Sequence, residues 1–150
     1  MATTTVTAIR AALETTIAGF TPPGAAMGVA AYKVASGYEG WEDRMGGDVD
    51  RQFSIGDISP SEILEFGVTA ENLMSNTMSI TIGHIMSGDV DSGRDRRDDD
   101  KAQLMAELVS KANYPAGVYL IEMISVDDED YKQEYWITTL NFRLLYARAT

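Results

Sequence analysis

The feature that most constrains the fold is an alternating segment near the end of the chain, residues 135–146. Large apolar side chains share one parity along it, broken only by Thr138: Trp136, Leu140, Phe142, Leu144 and Tyr146. Because successive side chains of a strand point to opposite faces, this period of two predicts a long strand with one buried face. The fold must therefore supply a sheet in which that strand pairs.

A partner for this strand precedes it in the sequence. The segment Gly117 to Val126 is rich in β-branched and apolar residues, and the acidic run Asp127 to Asp130 follows it. We expect the acidic run to form the turn. A connection this short leaves no room for a helical crossover, so the two strands are predicted to form an antiparallel hairpin.

Two helices are predicted. Apolar residues at steps of three and four mark the first, from about Thr4 to Ala18: Val6, Ile9, Leu13 and Ile17. The second is predicted over Ala102 to Ala112, with an apolar stripe of Leu104, Met105, Leu108 and Val109. The polar stretch Ser87 to Asp100 is interpreted as the connector that leads into it.

Further strands are predicted between the helices, at 27–34, 51–58 and 78–85. Pro60 should end the second of them. In the third, Met78, Ile80 and Ile82 alternate with polar residues, but the alternation slips near Gly83, which predicts a β-bulge there. The order of elements predicts an α+β fold in one domain, with a single mixed or largely antiparallel sheet and two flanking helices.

A long glycine-rich loop is predicted at about 36–50. It carries a group of residue types that are enriched at protein interfaces: Tyr38, Trp41, Arg44 and Met45. One interpretation makes them contacts to another protein. The other interpretation has Trp41 fold back onto the core of its own chain.

Charge and residue types restrict the function. The formal net charge of −11 repels phosphate backbones, so gripping nucleic acid is disfavoured. Cysteine is absent and His84 is the single histidine, and neither Ser79 nor Ser87 lies in a nucleophile-elbow pattern. We expect no enzyme activity, no metal and no cofactor. The longest uncharged runs, 15–32 and 72–88, are interrupted by Pro, Ser and Thr, so no membrane partner is expected.

A cluster of alternating charges, 94–101, holds three arginines that are candidates for a contact surface: Arg94, Arg96 and Arg97. Aspartates four residues further on would pair with two of them on a helix, Arg94 with Asp98 and Arg96 with Asp100. We interpret the cluster as a solvated or intersubunit ionic patch rather than a phosphate site.

Taken together, these patterns resemble the tail terminator, or tail completion, proteins of long-tailed bacteriophages. The resemblance covers nearly the whole chain and rests on the helix Val6 to Ala18, the strand Met78 to Ile85, Arg94-Asp-x-x-Asp98 leading into Leu104 to Leu108, Gly117-Val-Tyr-Leu-Ile-Glu122, and Trp136-Ile-x-x-Leu-x-Phe-x-x-x-Tyr146. The segment 36–50 has no assigned counterpart in this pattern.

The resemblance implies a virion protein assembled in the cytoplasm of a bacterial host. Such proteins form rings, commonly hexameric, that stop growth of the tail tube and join the tail to the head connector or stopper protein. The implied partners are further copies of the chain, the tail tube protein and the connector, and DNA passes through the lumen without specific binding. Two alternatives stay open: another neck or tail-tube subunit, and a small ligand-binding or hydrolytic α+β protein.

Overall fold

The fold is a six-stranded mixed sheet with two helices, an α+β arrangement. The computed structural model describes residues 2–23, 31–34, 50–56, 58–65, 72–85, 90–131 and 135–148. The helices are α1 (Val6–Ala18) and α2 (Val90–Leu108), and a 3-10 turn follows at Lys111–Asn113. The strands are β1 (Lys33–Val34), β2 (Gln52–Ile55), β3 (Ser59–Glu65), β4 (Asn72–Ile85), β5 (Val118–Tyr131) and β6 (Tyr135–Ala147).

The strand order is β1-β2-β4-β6-β5, and β3 also pairs with β4. Only the β1–β2 pair is parallel among the described pairs of strands. Strands β2 and β3 follow each other along one side of β4, where β2 pairs with residues 80–82 and β3 with residues 72–77. The predicted single sheet with two flanking helices is therefore confirmed.

The closing hairpin is the longest feature of the sheet. As predicted, β5 and β6 pair antiparallel, from Val118 opposite Tyr146 to Tyr131 opposite Tyr135. The acidic run is not the turn, however, because Asp127 to Asp130 lie within β5 and pair with residues 136–139. Charged side chains are tolerated on an edge strand, where solvent reaches them and they discourage unwanted pairing. Residues 132–134, which connect the two strands, lie outside the described residues.

One face of the sheet carries the core and both helices. The apolar residues of β6 that share one parity are all buried, and Thr138 on the same face is buried with them. The same cluster includes Ile9, Leu13 and Ile17 of α1 together with Leu104 and Leu108 of α2. Each of these side chains contributes roughly 1.5–3 kcal/mol by leaving water.

The centre of the opposite face is polar, and in the described part of the chain no helix covers it. The Ser79 hydroxyl donates to Asn141 Oδ1 at 2.6 Å, and the Asn141 amide donates to Ser125 Oγ at 3.0 Å. These bonds run across three neighbouring strands. Beside them, Arg143 and Glu122 form an ion pair whose side chains are both 45% exposed.

Helix α1 forms as its sequence predicts. Thr5 caps its start, since the hydroxyl oxygen accepts from the Ala8 amide at 3.1 Å. Gly19 ends it, and its amide hydrogen-bonds to the carbonyl of Thr15 at 3.1 Å. The predicted range of Thr4 to Ala18 is within two residues of the observed one.

Helix α2 differs from its prediction at both ends. It begins at Val90, inside the stretch interpreted as a connector, and ends at Leu108, before Val109 and Ala112. Val109 is 37% exposed, so it is not part of the buried stripe. The early start was missed because Gly93, Arg96 and Asp100, the buried positions described in this part of the helix, are not large apolar residues, so an apolar periodicity cannot reveal them.

Two other local predictions were wrong. The register between β4 and β6 runs without a shift through Gly83, so the predicted bulge is absent from that pair. His84 keeps the parity of Ile82 and lies on the core face, where Asp100 compensates its polarity. Pro60 does not end the strand region either, because it lies in β3 beside a register shift, a position that proline tolerates.

Candidate functional site

A buried group of charged side chains lies between α2 and the sheet. Arg51 donates from Nε to Asp100 Oδ2 at 2.7 Å and from Nη2 to Asp100 Oδ1 at 3.1 Å. His84 Nε2 lies 2.7 Å from the same Oδ2. All three residues are 0% exposed. We call Arg51, His84 and Asp100 the Asp100 cluster.

Three elements bring the cluster together. Arg51 immediately precedes β2, and its backbone N–H donates to the Gly83 carbonyl at 2.8 Å, which places it beside His84 at the end of β4. Asp100 lies on α2, one turn before Leu104, so the helix stripe that reaches the core also reaches the cluster. The cluster therefore fixes the helix, β2 and β4 relative to one another.

Arg51 has an unusual backbone conformation. Its φ is 57°, and it is the only residue besides glycine with a positive φ in the described part of the chain. That region costs a residue with a Cβ roughly 1–3 kcal/mol and persists where the surrounding structure holds it. Here the bidentate bond to Asp100 and a bond from Nη2 to the Pro23 carbonyl at 2.8 Å hold the side chain.

Tyr32 and Gln103 extend the hydrogen bonds around the cluster. The Tyr32 hydroxyl donates to Gln103 Oε1 at 2.8 Å, and Gln103 Nε2 donates to the Thr21 carbonyl at 2.8 Å. Burial raises the pKa of Tyr32 above its ordinary value, and the nearby charge of Asp100 raises it further. The phenol therefore acts as a hydrogen-bond donor and not as a base.

Asp100 stays ionised in this environment. Burial alone would raise its pKa, but the hydrogen bonds from His84 and Arg51, together with their charges, outweigh burial and lower the pKa from its ordinary value. The carboxylate and the guanidinium are thus a compensated buried ion pair. An intact buried ion pair changes the free energy of folding little, because the attraction between the charges offsets their desolvation. Removal of one partner is strongly destabilising, because it leaves an uncompensated buried charge.

His84 and Asp100 form a dyad. A carboxylate only accepts hydrogen bonds, so the proton between them belongs to His84 Nε2. Nδ1 is buried without a hydrogen-bond partner, and in a neutral imidazole it would be the nitrogen that carries the lone pair. A carboxylate that orients an imidazole and leaves its other nitrogen free has the chemistry of a general base. The imidazole is 0% exposed, however, so solvent does not reach it.

A second buried ion pair adjoins the cluster. Arg96, one turn before Asp100 on α2, bonds to Asp50 through Nη2 at 2.6 and 2.5 Å. The exposed fractions are 7% for Arg96 and 2% for Asp50. This corrects the predicted pairing of Arg96 with Asp100, because each has a partner on the sheet side of the helix instead.

The residues predicted to form contacts with other subunits fall into three groups in the structure: exposed, bonded within the chain, and outside the described residues. Arg94 is exposed, and Arg96 is buried where it bonds to Asp50. Arg97 bonds to Asp98 at 3.1 Å and lies 5.0 Å from the centroid of the Trp136 ring, a cation–π distance. Tyr38, Trp41, Arg44 and Met45 lie outside the described residues, as does the 36–49 part of the predicted loop.

Sequence reasoning missed the cluster itself. Arg51 had no distinguishing signal, since it stands alone beside Asp50 after the glycine-rich segment. His84 did have one, because it continues the parity of Met78, Ile80 and Ile82. A histidine at a core-facing position predicts a buried polar partner.

Within the described ranges, no group of three or more His, Asp or Glu side chains is placed to hold a metal ion. None of the helices there combines the length and apolar character needed to cross a membrane. Comparison with known proteins found no matching family model and no matching curated protein.

Proposed function

We propose that this protein is a non-enzymatic virion protein that forms a homo-oligomeric ring, with six subunits as the leading expectation. In this proposal the ring terminates the tail tube of a long-tailed bacteriophage and joins the tail to the head connector. The supporting observation is the fold: one mixed sheet with helix, strands, helix and closing hairpin in that order. That is the order of elements on which the resemblance to tail terminators rests.

The use of buried charge also supports a structural role. Asp100, Arg51 and His84 bond to one another, and Asp50 bonds to Arg96, across the interface between helix and sheet. Groups that would carry chemistry are thereby used to fix the helix. A rigid subunit is what a ring adaptor requires.

The charge of the chain fits a channel that DNA crosses. A formal net charge of −11 disfavours adhesion to phosphates, so DNA would pass through the lumen without being retained. The centre of the sheet face opposite the helices carries the hydrogen-bonded polar side chains Ser79, Asn141 and Ser125.

The assembly is tested by light scattering and electron microscopy of the purified protein, alone and with tail tubes. We expect single-layer rings that cap tube ends. A chain that stays monomeric and never caps tubes contradicts the proposal. Stacked rings that elongate without limit would instead favour the alternative of a tail-tube subunit.

The arginines of α2 provide a matched pair of variants. Arg94→Ala changes an exposed side chain and should weaken ring formation while leaving the free energy of unfolding nearly unchanged. Arg96→Ala removes a cation that bonds to the buried Asp50 carboxylate and should lower the free energy of unfolding. Analytical ultracentrifugation and urea unfolding separate the two effects, and an Arg94 variant that assembles normally removes this residue from the interface.

Substitution of Trp41 distinguishes the two interpretations of the 36–50 segment. If Trp41 anchors a contact, Trp41→Ala should weaken assembly or docking by about 1–4 kcal/mol. If the variant instead lowers the stability of the monomer while the folded protein docks normally, Trp41 belongs to the core of its own chain. Sedimentation and thermal unfolding are measured on the same preparation.

A hydrolytic protein is the second candidate, and the dyad of His84 and Asp100 is the observation that favours it. The test compares hydrolysis of p-nitrophenyl esters by wild type, His84→Ala and His84→Gln. Glutamine retains an N–H donor for Asp100 but is no base, so an enzyme loses its activity in both variants. A ring adaptor shows no hydrolysis above background, and His84→Gln assembles like wild type.

A further inference from the structure

The two halves of α2 are held on the sheet by different forces. Within residues 93–108, whose burial the structure describes, the buried side chains are Arg96 and Asp100 in the first half and Leu104 and Leu108 in the second. Apolar burial does not depend on protonation, but a buried ion pair does. The two halves therefore differ in their response to acid.

Asp100 is the carboxylate on which these contacts converge, and the described elements packed around it present titratable or charged side chains. Arg51 faces it from the start of β2, His84 from β4 and Tyr32 from beside β1. On its own helix the neighbouring cations are engaged elsewhere: Arg96 with Asp50, Arg97 with Asp98, and Lys101 with Asp128.

Protonation of Asp100 changes the balance at Arg51. A neutral carboxyl group no longer compensates the guanidinium, which is 0% exposed. A buried charge that loses its counter-ion is strongly destabilised, and moving into water relieves it. Release also frees the backbone of Arg51 from its φ of 57°, so relief of strain favours the same movement.

We propose that the first half of α2, together with Asp50 and Arg51, is an acid-operated latch. Protonation of Asp100 frees that half of the helix from the sheet as a local opening, while Leu104 and Leu108 keep the second half docked. The latch is a property of the subunit and does not require a ring.

The pH window follows from the direction of the pKa. Because the pKa of Asp100 is lowered in the folded chain, the contact is complete above the ordinary carboxyl pKa of about 4 and is lost as the pH falls through the folded value. The latch is therefore closed at neutral pH and opens in acid.

Amide hydrogen exchange of the full-length protein from pH 7 to pH 3 tests the latch, with protection factors corrected for the intrinsic exchange rate. We expect protection of amides 93–101 to fall by on the order of a hundredfold in acid. Amides 104–108 and those of β6 should keep theirs. Loss of protection in all three regions together, or in none, overturns the proposal.

Asp100→Asn gives the same test at pH 7. Amides 93–101 should exchange on the order of a hundredfold faster than in wild type. Asp128→Asn is the matched control, since Asp128 also joins α2 to the sheet through Lys101 but is partly exposed, and it should leave these amides protected. Wild-type protection in Asp100→Asn contradicts the latch. If that variant fails to fold, the acid series of the wild type decides.

Discussion

Three features that affect the free energy of folding coincide at Arg51. It combines a positive φ, complete burial and a bidentate bond to a buried carboxylate. Lysine does not reproduce this geometry, because a guanidinium presents two N–H groups in a fixed fork whereas an ammonium is a point charge. The identity of the residue is therefore as important as its charge.

We expect Arg51→Met to lower the free energy of unfolding by about 3–5 kcal/mol, since it leaves Asp100 buried without its cation. Urea unfolding followed by circular dichroism measures the change. Arg143→Met is the control, because its ion pair with Glu122 is 45% exposed and should contribute about 0–1 kcal/mol. Equal losses in the two variants would show that burial of Arg51 carries no extra energy.

Helix α2 shows how one helical spacing accommodates two kinds of contact. Its stripe of buried positions runs through Gly93, Arg96, Asp100, Leu104 and Leu108, at steps of three and four. Lys101 adds a bond to Asp128 of β5 at 2.7 Å, and that carboxylate also accepts from Thr138 at 2.7 Å. The helix is thus joined to β4 and β5 and, through Asp50 and Arg51, to the start of β2.

The amino-terminal segment is joined to the hairpin by backbone contacts. The Thr4 amide donates to the Ala147 carbonyl at 2.8 Å, and the Ala147 amide donates to the Gly117 carbonyl at 3.0 Å. Gly117 has a φ of +83°, and a Cβ there would lie 2.8 Å from Thr4 Cβ. Both the conformation and the close approach therefore require glycine.

Gly117→Ala should destabilise the fold by roughly 1–3 kcal/mol, because the new Cβ occupies a left-handed conformation and collides with Thr4. Thermal unfolding measures the loss. Gly56→Ala is a suitable control, since its Cβ would meet Ser79 O at an ordinary 3.5 Å. A Gly117 variant as stable as the Gly56 variant would mean that the backbone at Thr4 and Gly117 shifts to accept the new Cβ without loss of stability.

For the molecule as a whole, acid acts through two opposing effects. Lowering the pH from 8 toward the sequence pI near 4.4 reduces the repulsion among an excess of negative charges, which stabilises the compact state. Bonds to cations outweigh burial and lower the pKa values of Asp100 and Asp128 in the folded chain, so the stability contributed by their ion pairs is complete above about pH 4 and is lost progressively as the pH falls through the folded values.

We expect the free energy of unfolding to rise modestly from pH 8 to about 5 and to fall steeply below about 4. Urea unfolding at a series of pH values gives the profile. Added salt at pH 8 should reproduce part of the first rise by screening the repulsion. A free energy that keeps rising down to pH 3 would contradict the assigned directions of the two pKa values.

The sequence alone determined the helices and strands whose buried face is apolar along most of its length. The parity of 135–146, the stripe of α1 and the short connection between the last strands predicted the hairpin, the first helix and the α+β class, and all are present. Each rests on neighbours close in the chain, and apolar periodicity reports such burial directly. Prediction at this level needed no knowledge of distant contacts.

Only the tertiary structure decided where the charges go. The first half of α2, the strand status of Asp127 to Asp130 and the unbroken register at His84 all depend on partners far along the chain. Asp100 pairs with Arg51 across 49 positions. A charged side chain can lie in solvent or be buried against a counter-ion, and the local sequence does not distinguish the two environments. The Asp100 cluster exists because folding brings three elements to one point.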